Sequence, residues 1–236
     1  MSHLGKQANA LLDLMFPQVC VSCHHRIPDQ KVWLCGCCYD NLSYLPEQHC
    51  PKCGIPLEGE ECFNCYENSF VFSQAVSVFL YETSAKAMVH SLKYEGLWTI
   101  SDWFANQMFR VLLQGKTPQG VDVVTAVPLH RVRRRERGYN QSDLIAKALA
   151  SRMGKPFTDK ALVRTSYTTS QTLLDRRERR KNLVGAFKAA KTGIKGRSFL
   201  LIDDVFTTGT TVNEASKVLL NEGARDVFVM TACHGL

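Results

Sequence analysis

The chain has 236 residues, 45% of them hydrophobic, with 29 Lys and Arg against 22 Asp and Glu and a formal charge of +7. That composition suits a soluble globular protein of one large or two modest domains, and no stretch approaches the roughly 18 apolar residues of a membrane-spanning helix. Lys6, Asn9 and Asp13 interrupt what would be the apolar core of an export signal, so a cytoplasmic chain with reduced thiols is expected.

Leu4, Ala8, Leu11, Leu12 and Met15 fall at helical spacing before Pro17, which predicts a packing helix. Nine of the ten cysteines then lie between Cys20 and Cys65, eight of them in four Cys-x-x-Cys pairs: Cys20 with Cys23, Cys35 with Cys38, Cys50 with Cys53, and Cys62 with Cys65. Each pair offers two thiolates from a tight turn, and two pairs complete a tetrahedral structural zinc site, so two zinc ions are expected. Disulfides are the competing reading, disfavoured because no export signal accompanies them. Cys37 is the spare thiol, and His24, His25 and His49 are read as surface residues rather than ligands. Spacing does not fix which pair joins which. Joining sequence neighbours gives two small ribbons, and an interleaved pairing stays open. Glycines and prolines such as Gly36, Gly54, Pro46 and Pro51 mark turns, so metal would supply the stability that residues 1–68 cannot draw from apolar burial.

A second domain is expected over residues 69–236. Phe70 to Tyr81 has the valine and aromatic content of a strand, and Ser84 to Leu92 and Leu97 to Leu113 read as helices. Val121 to Val127 is a buried strand ending at Pro128, and Asn140 to Met153 a helix stopped by Gly154. Phe199 to Ile202 is a strand, Asn213 to Glu222 a helix, and Asp226 to Ala232 a final strand. Strands alternating with helices predict an α/β fold with a covered parallel sheet, whose ligands gather at the carboxyl ends of the strands.

The most informative stretch runs from Phe199 to Thr211. An apolar run stops at Asp203 and Asp204, and Thr207, Thr208, Gly209, Thr210 and Thr211 lead into a helix. At such a junction backbone N–H groups and the helix dipole favour an anion, with threonine hydroxyls as further donors and Gly209 permitting close approach. Adjacent carboxylates can accept hydrogen bonds from neighbouring sugar hydroxyls, so phosphate and diol together point to ribose 5-phosphate. Asp204, placed at a strand end, is expected to be removable without opening the core. Neither a P-loop (Gly-x-x-x-x-Gly-Lys-Ser/Thr) nor a dinucleotide fingerprint (Gly-x-Gly-x-x-Gly) occurs. The stretch resembles the signature of type I phosphoribosyltransferases, which bind 5-phosphoribosyl 1-pyrophosphate (PRPP).

Positive charge is concentrated in two places. Arg131, Arg133, Arg134, Arg135 and Arg137 follow the Val121 strand, and Arg176, Arg177, Arg179, Arg180 and Lys181 lie in a polar stretch, Thr165 to Lys195, that reads as a mobile loop. Arginines closing over a pyrophosphate would stabilise its departure, and the same side chains can hold nucleic-acid phosphates. Solvated faces are the bland alternative.

The four knuckles are followed by Leu92-Lys93-Tyr94-Glu95-Gly96, Val127-Pro128-Leu129-His130, Arg135-Glu136-Arg137-Gly138-Tyr139-Asn140-Gln141, and Arg176 to Leu183 ahead of the Asp203-Asp204 loop. In this combination the chain resembles the ComF family of competence proteins, including the relatives called GntX. The resemblance implies a double zinc ribbon before a phosphoribosyltransferase-like domain, and a role in natural transformation or the use of external DNA. It implies that Pro128, Leu129 and His130 receive pyrophosphate and that Thr168 to Phe187 is the flexible loop. It further implies that Asp203, Asp204 and Thr207 to Thr211 hold PRPP with Mg2+, with Asp203, Asp204, Arg176 and Arg177 acting in catalysis. Lys93 is a further candidate. Single-stranded DNA and other competence or DNA-processing proteins are the expected partners. Two forms of the function stand side by side: a transferase of unknown acceptor, and a non-catalytic single-stranded-DNA-binding adaptor whose PRPP site is a sensor or relic.

Overall fold

A computed structural model describes residues 18–27, 32–57, 59–115, 118, 120–166, 185–190 and 192–235. The expected helix over Leu4 to Met15, the basic cluster containing Arg176 and Arg177, and most of the expected flexible loop lie outside them. Two short helices, α1 (Gly36–Asp40) and α2 (Phe63–Glu67), belong to the cysteine-rich part. There follow β1 (Gln74–Leu80), α3 (Thr83–Tyr94), α4 (Ile100–Leu113), β2 (Val123–Ala126), α5 (Arg131–Arg137) and α6 (Gln141–Met153). The chain continues with β3 (Leu162–Arg164), β4 (Phe187–Ala189), β5 (Ser198–Phe206), α7 (Thr210–Asn221) and β6 (Asp226–His234). Among the described residues, no helix is long and apolar enough to cross a membrane.

Four strands form one sheet in the order β1-β6-β5-β2, every neighbouring pair parallel. A parallel sheet needs cover on both faces, and β5 shows why its run is continuously apolar. Leu200 and Ile202 enter a core with Met88, Phe104, Ile145 and Leu149 from α3, α4 and α6. Phe199 and Leu201 face the other way, into a core with Val212, Ala215 and Leu219 from α7 and with Leu162 and Phe187 from the antiparallel pair β3–β4.

The cysteine-rich segment completes the cover. Cys20, Ile27, Leu34 and Leu42 join the first core, whereas Cys50 and Cys53 join the second. Between them, Leu45 N donates to Val78 O (2.9 Å) and Leu80 N to Ser43 O (2.8 Å), so residues 43–45 pair antiparallel with the edge strand β1. One ribbon therefore lies on each side of the sheet, with the linking segment capping its edge.

Phe70 and Phe72 alternate as a strand would, yet β1 begins only at Gln74. Their rings stack on each other at 4.9 Å and meet Phe206 edge-on at 6.1 and 6.2 Å, and Phe206 stacks on His234 at 4.9 Å. The Phe72 carbonyl accepts the Lys52 ammonium, and Ala75 N donates to Lys52 O at 2.8 Å. This aromatic cluster fastens the second ribbon to the carboxyl end of β5. Phe72 is 0% exposed, so Phe72→Ala should destabilise the zinc-loaded protein by about 3–5 kcal/mol in denaturant titration.

Candidate functional site

β5 extends four residues past its apolar run, so Asp203 and Asp204 lie inside the strand, registered with β6 at Asp203↔Thr231 and Val205↔Cys233. Successive residues of a strand point to opposite sides, and the two acids meet different surroundings. Asp204 is 4% exposed. Its Oδ1 accepts Lys93 Nζ at 2.7 Å and its Oδ2 accepts Gln141 Nε2 at 2.5 Å. The expectation that Asp204 can be lost without disturbing the interior does not hold, because its removal would strand a largely buried ammonium. Burial works against the charge on Lys93, but the Asp204 carboxylate, their hydrogen bond and Asp203 together hold its pKa above the ordinary lysine value.

Asp203 is half-buried. Its Oδ1 accepts Ser142 Oγ and Asp204 N, both at 2.9 Å, and among the described residues its Oδ2 takes no hydrogen bond. Burial, then the neighbouring Asp204 charge, pushes its pKa up to about 7. Arg164, on β3, contributes positive potential towards Asp203 and lays its guanidinium 5.5 Å from the Phe187 ring centre.

The hydroxyl loop follows directly. Gly209 has φ 74° and precedes α7, whose first turn includes Thr210 and Thr211, three residues earlier than the apolar spacing predicts. A side chain at 209 would lie 2.5 Å from Phe206 Cζ and 2.7 Å from Phe70 Cε1. Glycine is thus demanded by the backbone and by the aromatic cluster beneath the loop. Thr208 and Thr210 hydroxyls are 2.9 Å apart, and Asn213 Oδ1 accepts Val71 N at 2.8 Å, pinning the helix start to the segment leaving the second ribbon.

Because β2 is the parallel neighbour of β5, Pro128, Leu129 and His130 arrive at the same end of the sheet as Asp203, Asp204 and Thr207 to Thr211. His130 caps α5, an unexpected helix within the first arginine cluster, which Gly138 ends in the left-handed conformation. Arg131, Arg134 and Arg135 are exposed, whereas Arg133 and Arg137 are half-buried. Asn140 caps α6 and donates to Val127 O at 3.1 Å, which joins the strand end to the helix bearing Gln141 and Ser142. Sequence reasoning gave Gln141, Ser142 and Arg164 no role. A hydrogen bond such as Lys93 to Asp204, spanning 111 positions, leaves no local signal.

The eight paired cysteines form two groups, Cys20, Cys23, Cys35, Cys38 and Cys50, Cys53, Cys62, Cys65, with all ligand atoms of a group within 4.8 Å of one another. Sequence neighbours therefore join, and the interleaved pairing is excluded. Sγ separations of 3.6 Å (Cys23–Cys35), 3.6 Å (Cys50–Cys65) and 3.5 Å (Cys53–Cys62) approach the roughly 3.8 Å edge of a tetrahedron with Zn–S bonds of about 2.3 Å. None of the ten cysteines is joined in a disulfide. Cys37, His24, His25 and His49 stand outside both groups. Within the first group, burial opposes ionising Cys20, but the backbone N–H groups of Cys23, Cys35 and Ser22 bring it down to about 6. Burial and Cys23 push Cys38 up to about 12. Four thiolates so close need a dication, and each group fits one structural zinc.

Metal analysis should give two zinc ions per chain, and chelation should lower the thermal midpoint, because each ribbon covers part of a core. Lys93→Met should cost about 3 kcal/mol by leaving Asp204 charged and unpaired, the low end for a buried pair because the Lys93 side chain retains 20% exposure. Replacing Asp204 by leucine in the same variant should recover much of that loss in the same denaturation assay.

Comparison with known proteins agrees with this architecture. Residues 11–66 match the double zinc ribbon domain and residues 140–235 the phosphoribosyl transferase domain. The DNA utilization protein YhgH of Salmonella typhimurium is 30% identical over 94% of this chain and 100% of its own length, and Competence protein F of Haemophilus influenzae 28% identical over 89% and 94%. Among solved structures, the glutamine PRPP amidotransferase of B. subtilis overlays 56% of this chain and 26% of its own at 20% identity, with a TM-score of 0.39. That overlay is too loose to transfer residues, so the fold assignment rests on the strand order and the transferase-domain match. End-to-end similarity to the DNA utilization and competence proteins, together with two four-cysteine groups ahead of a parallel sheet, establishes that the chain belongs to the ComF family.

Proposed function

We propose that this protein binds PRPP together with Mg2+ at the carboxyl end of β5, and that this site serves the handling of single-stranded DNA acquired from outside the cell. The observation that carries the reading is convergence. An acid pair, a hydroxyl loop opening a 12-residue helix, and the loop after the neighbouring parallel strand share one end of the sheet. Backbone N–H groups from Thr208 to Thr211 and the threonine hydroxyls receive the 5-phosphate. Asp203, with Oδ2 available, accepts from the ribose hydroxyls, while Asp204 fixes Lys93 and Gln141 around it. Pro128 to His130 face the pyrophosphate. Mg2+ bound with the ligand would neutralise the pyrophosphate and favour its departure. The exposed arginines of α5 offer phosphate contacts to a DNA strand, and the names of the relatives supply the DNA context.

A second form of the reading is binding without turnover. Both oxygens of Asp204 are already engaged by Lys93 and Gln141, leaving one acid of the pair for the sugar. Calorimetric titration with PRPP and Mg2+, followed by a pyrophosphate-release assay with and without single-stranded DNA and nucleobases, separates the two. Binding with release supports a transferase and binding alone a sensor, whereas no binding removes both.

Asp203 also sets a pH dependence. With a folded-state pKa of about 7, above the ordinary carboxylate range, the native protein binds more protons than the unfolded chain between that range and pH 7. Stability contributed by this residue is therefore lost as pH rises through the window. Asp203→Asn should gain thermal stability relative to the parent from pH 5 to pH 8 without ligand. Affinity of the parent for PRPP with Mg2+ should rise over the same range as the carboxylate ionises. The variant should bind at least tenfold more weakly at pH 8 and lack that part of the rise, the titration of the ligand's own phosphates being common to both proteins.

A further inference from the structure

Beside the acid pair, a recess of about 370 Å3 opens between the end of α3, the turn after it, and α5. Its size is at the low end for small-ligand clefts, about 300–1,000 Å3, which suits one ring system with one charged group. Among the described residues, Lys93, Arg133 and Arg137 line it with two acids, Glu95 and Glu136, and Tyr94 and Tyr139 supply aromatic surface. Tyr94 is 60% exposed; the Arg137 guanidinium lies 5.2 Å from its ring centre and the His90 ring 4.9 Å from it.

The recess is a built feature rather than a gap between loops. The Tyr139 hydroxyl donates to Leu92 O, holding α3 to the segment between α5 and α6. Arg137 donates to Gln141 Oε1, and the Gln141 amide donates to Asp204 Oδ2. Lys93, a wall of the recess, donates to Asp204 Oδ1. A ligand here would reach Asp204 through one side chain, Lys93, and by a second route through two, Arg137 and Gln141.

We propose that this recess is a nucleotide subsite, in which a base stacks on Tyr94 and an attached phosphate is held in the positive potential of Lys93, Arg133 and Arg137. The inference rests on the proposed sugar-phosphate site only for its neighbour. The ligand chemistry is one nucleotide unit, supplied either by a free mononucleotide or by a nucleotide of a DNA strand. Occupancy touches Lys93 and Arg137, both one hydrogen bond or two from Asp204, so nucleotide and sugar-phosphate affinities are coupled, each altering the other by the same factor.

The test uses the full-length, zinc-loaded protein. Binding of deoxyadenosine 5-monophosphate, deoxyadenosine, inorganic phosphate and a ten-residue oligothymidylate is measured by calorimetry and fluorescence anisotropy, with PRPP and Mg2+ titrated in parallel. The monophosphate or the oligonucleotide should bind more tightly than deoxyadenosine or phosphate. Tyr94→Leu, at an exposed position, should weaken binding roughly 5- to 100-fold, the range for loss of one base–aromatic stack. Arg133→Gln should reduce the log-log salt dependence of oligonucleotide binding by about 0.7, one phosphate contact on a single strand. Ultraviolet crosslinking of a bromodeoxyuridine oligonucleotide should label the peptide containing Tyr94. Monophosphate binding identifies a free nucleotide as a ligand, and oligonucleotide binding alone identifies the strand. Nucleotide binding unchanged by Tyr94→Leu, a crosslink elsewhere, or no binding of either ligand would overturn the subsite while leaving a positive PRPP titration intact. Tyr94-dependent binding without any PRPP response would leave the subsite standing and remove the sugar-phosphate reading.

Discussion

A parallel sheet has no face that can be left to water, and the organisation of this protein follows from that constraint. The helices α3, α4, α6 and α7 share the cover of the two faces with the cysteine-rich segment, and without that segment the edge at β1 would present unpaired backbone groups. The zinc ribbons answer both needs. One packs into each core, and residues 43–45 pair along the edge. Metal held by the two four-cysteine groups would fix these segments and so help close the interior of the transferase-type sheet.

The second dependence is electrostatic. Asp204 and Lys93 are an ion pair withdrawn from solvent, an arrangement that adds little net stability compared with apolar packing but is costly to break on one side. What it supplies is position. The pair and Gln141 hold the ends of α3 and α6 against β5, and this frame leaves Asp203, its neighbour in the strand, as the half-exposed member. Two adjacent residues of the same type are separated into a buried frame and a half-exposed neighbour by the alternation of the strand.

Much of this was legible in the sequence because it repeats at short range. The cysteine knuckles announce metal by spacing alone, and the apolar run of β5 announces a doubly covered strand. The course of β5 past Ile202 was not legible, since two acids read as a stop. The backbone continues because β6 pairs with it regardless of side-chain charge. α5 carries arginines at nearly every position, with no apolar period to reveal it, and is defined by its ends at His130 and Gly138. β3 and β4 are three residues each, too short to show alternation. The alternating Phe70 and Phe72 misled in the opposite sense, because their spacing serves a stack of rings rather than a pleat. The Lys93–Asp204 pair and the recess beside it depend on distant segments meeting, which no local pattern encodes.

The aromatic cluster under Gly209 bears on how such a protein can change over time. Phe70, Phe72, Phe206 and Gly209 occupy one another's space, and Lys52 reaches into the same group from the second ribbon. Substitutions among positions in direct contact do not combine additively. A ring enlarged on one side of the cluster must be matched by a reduction on another, or the loop at 209 moves. The ribbon and the loop are therefore poor candidates for independent shuffling between lineages. A recombinant that joins the sheet of one relative to the ribbons of another inherits mismatched halves of a single packing problem.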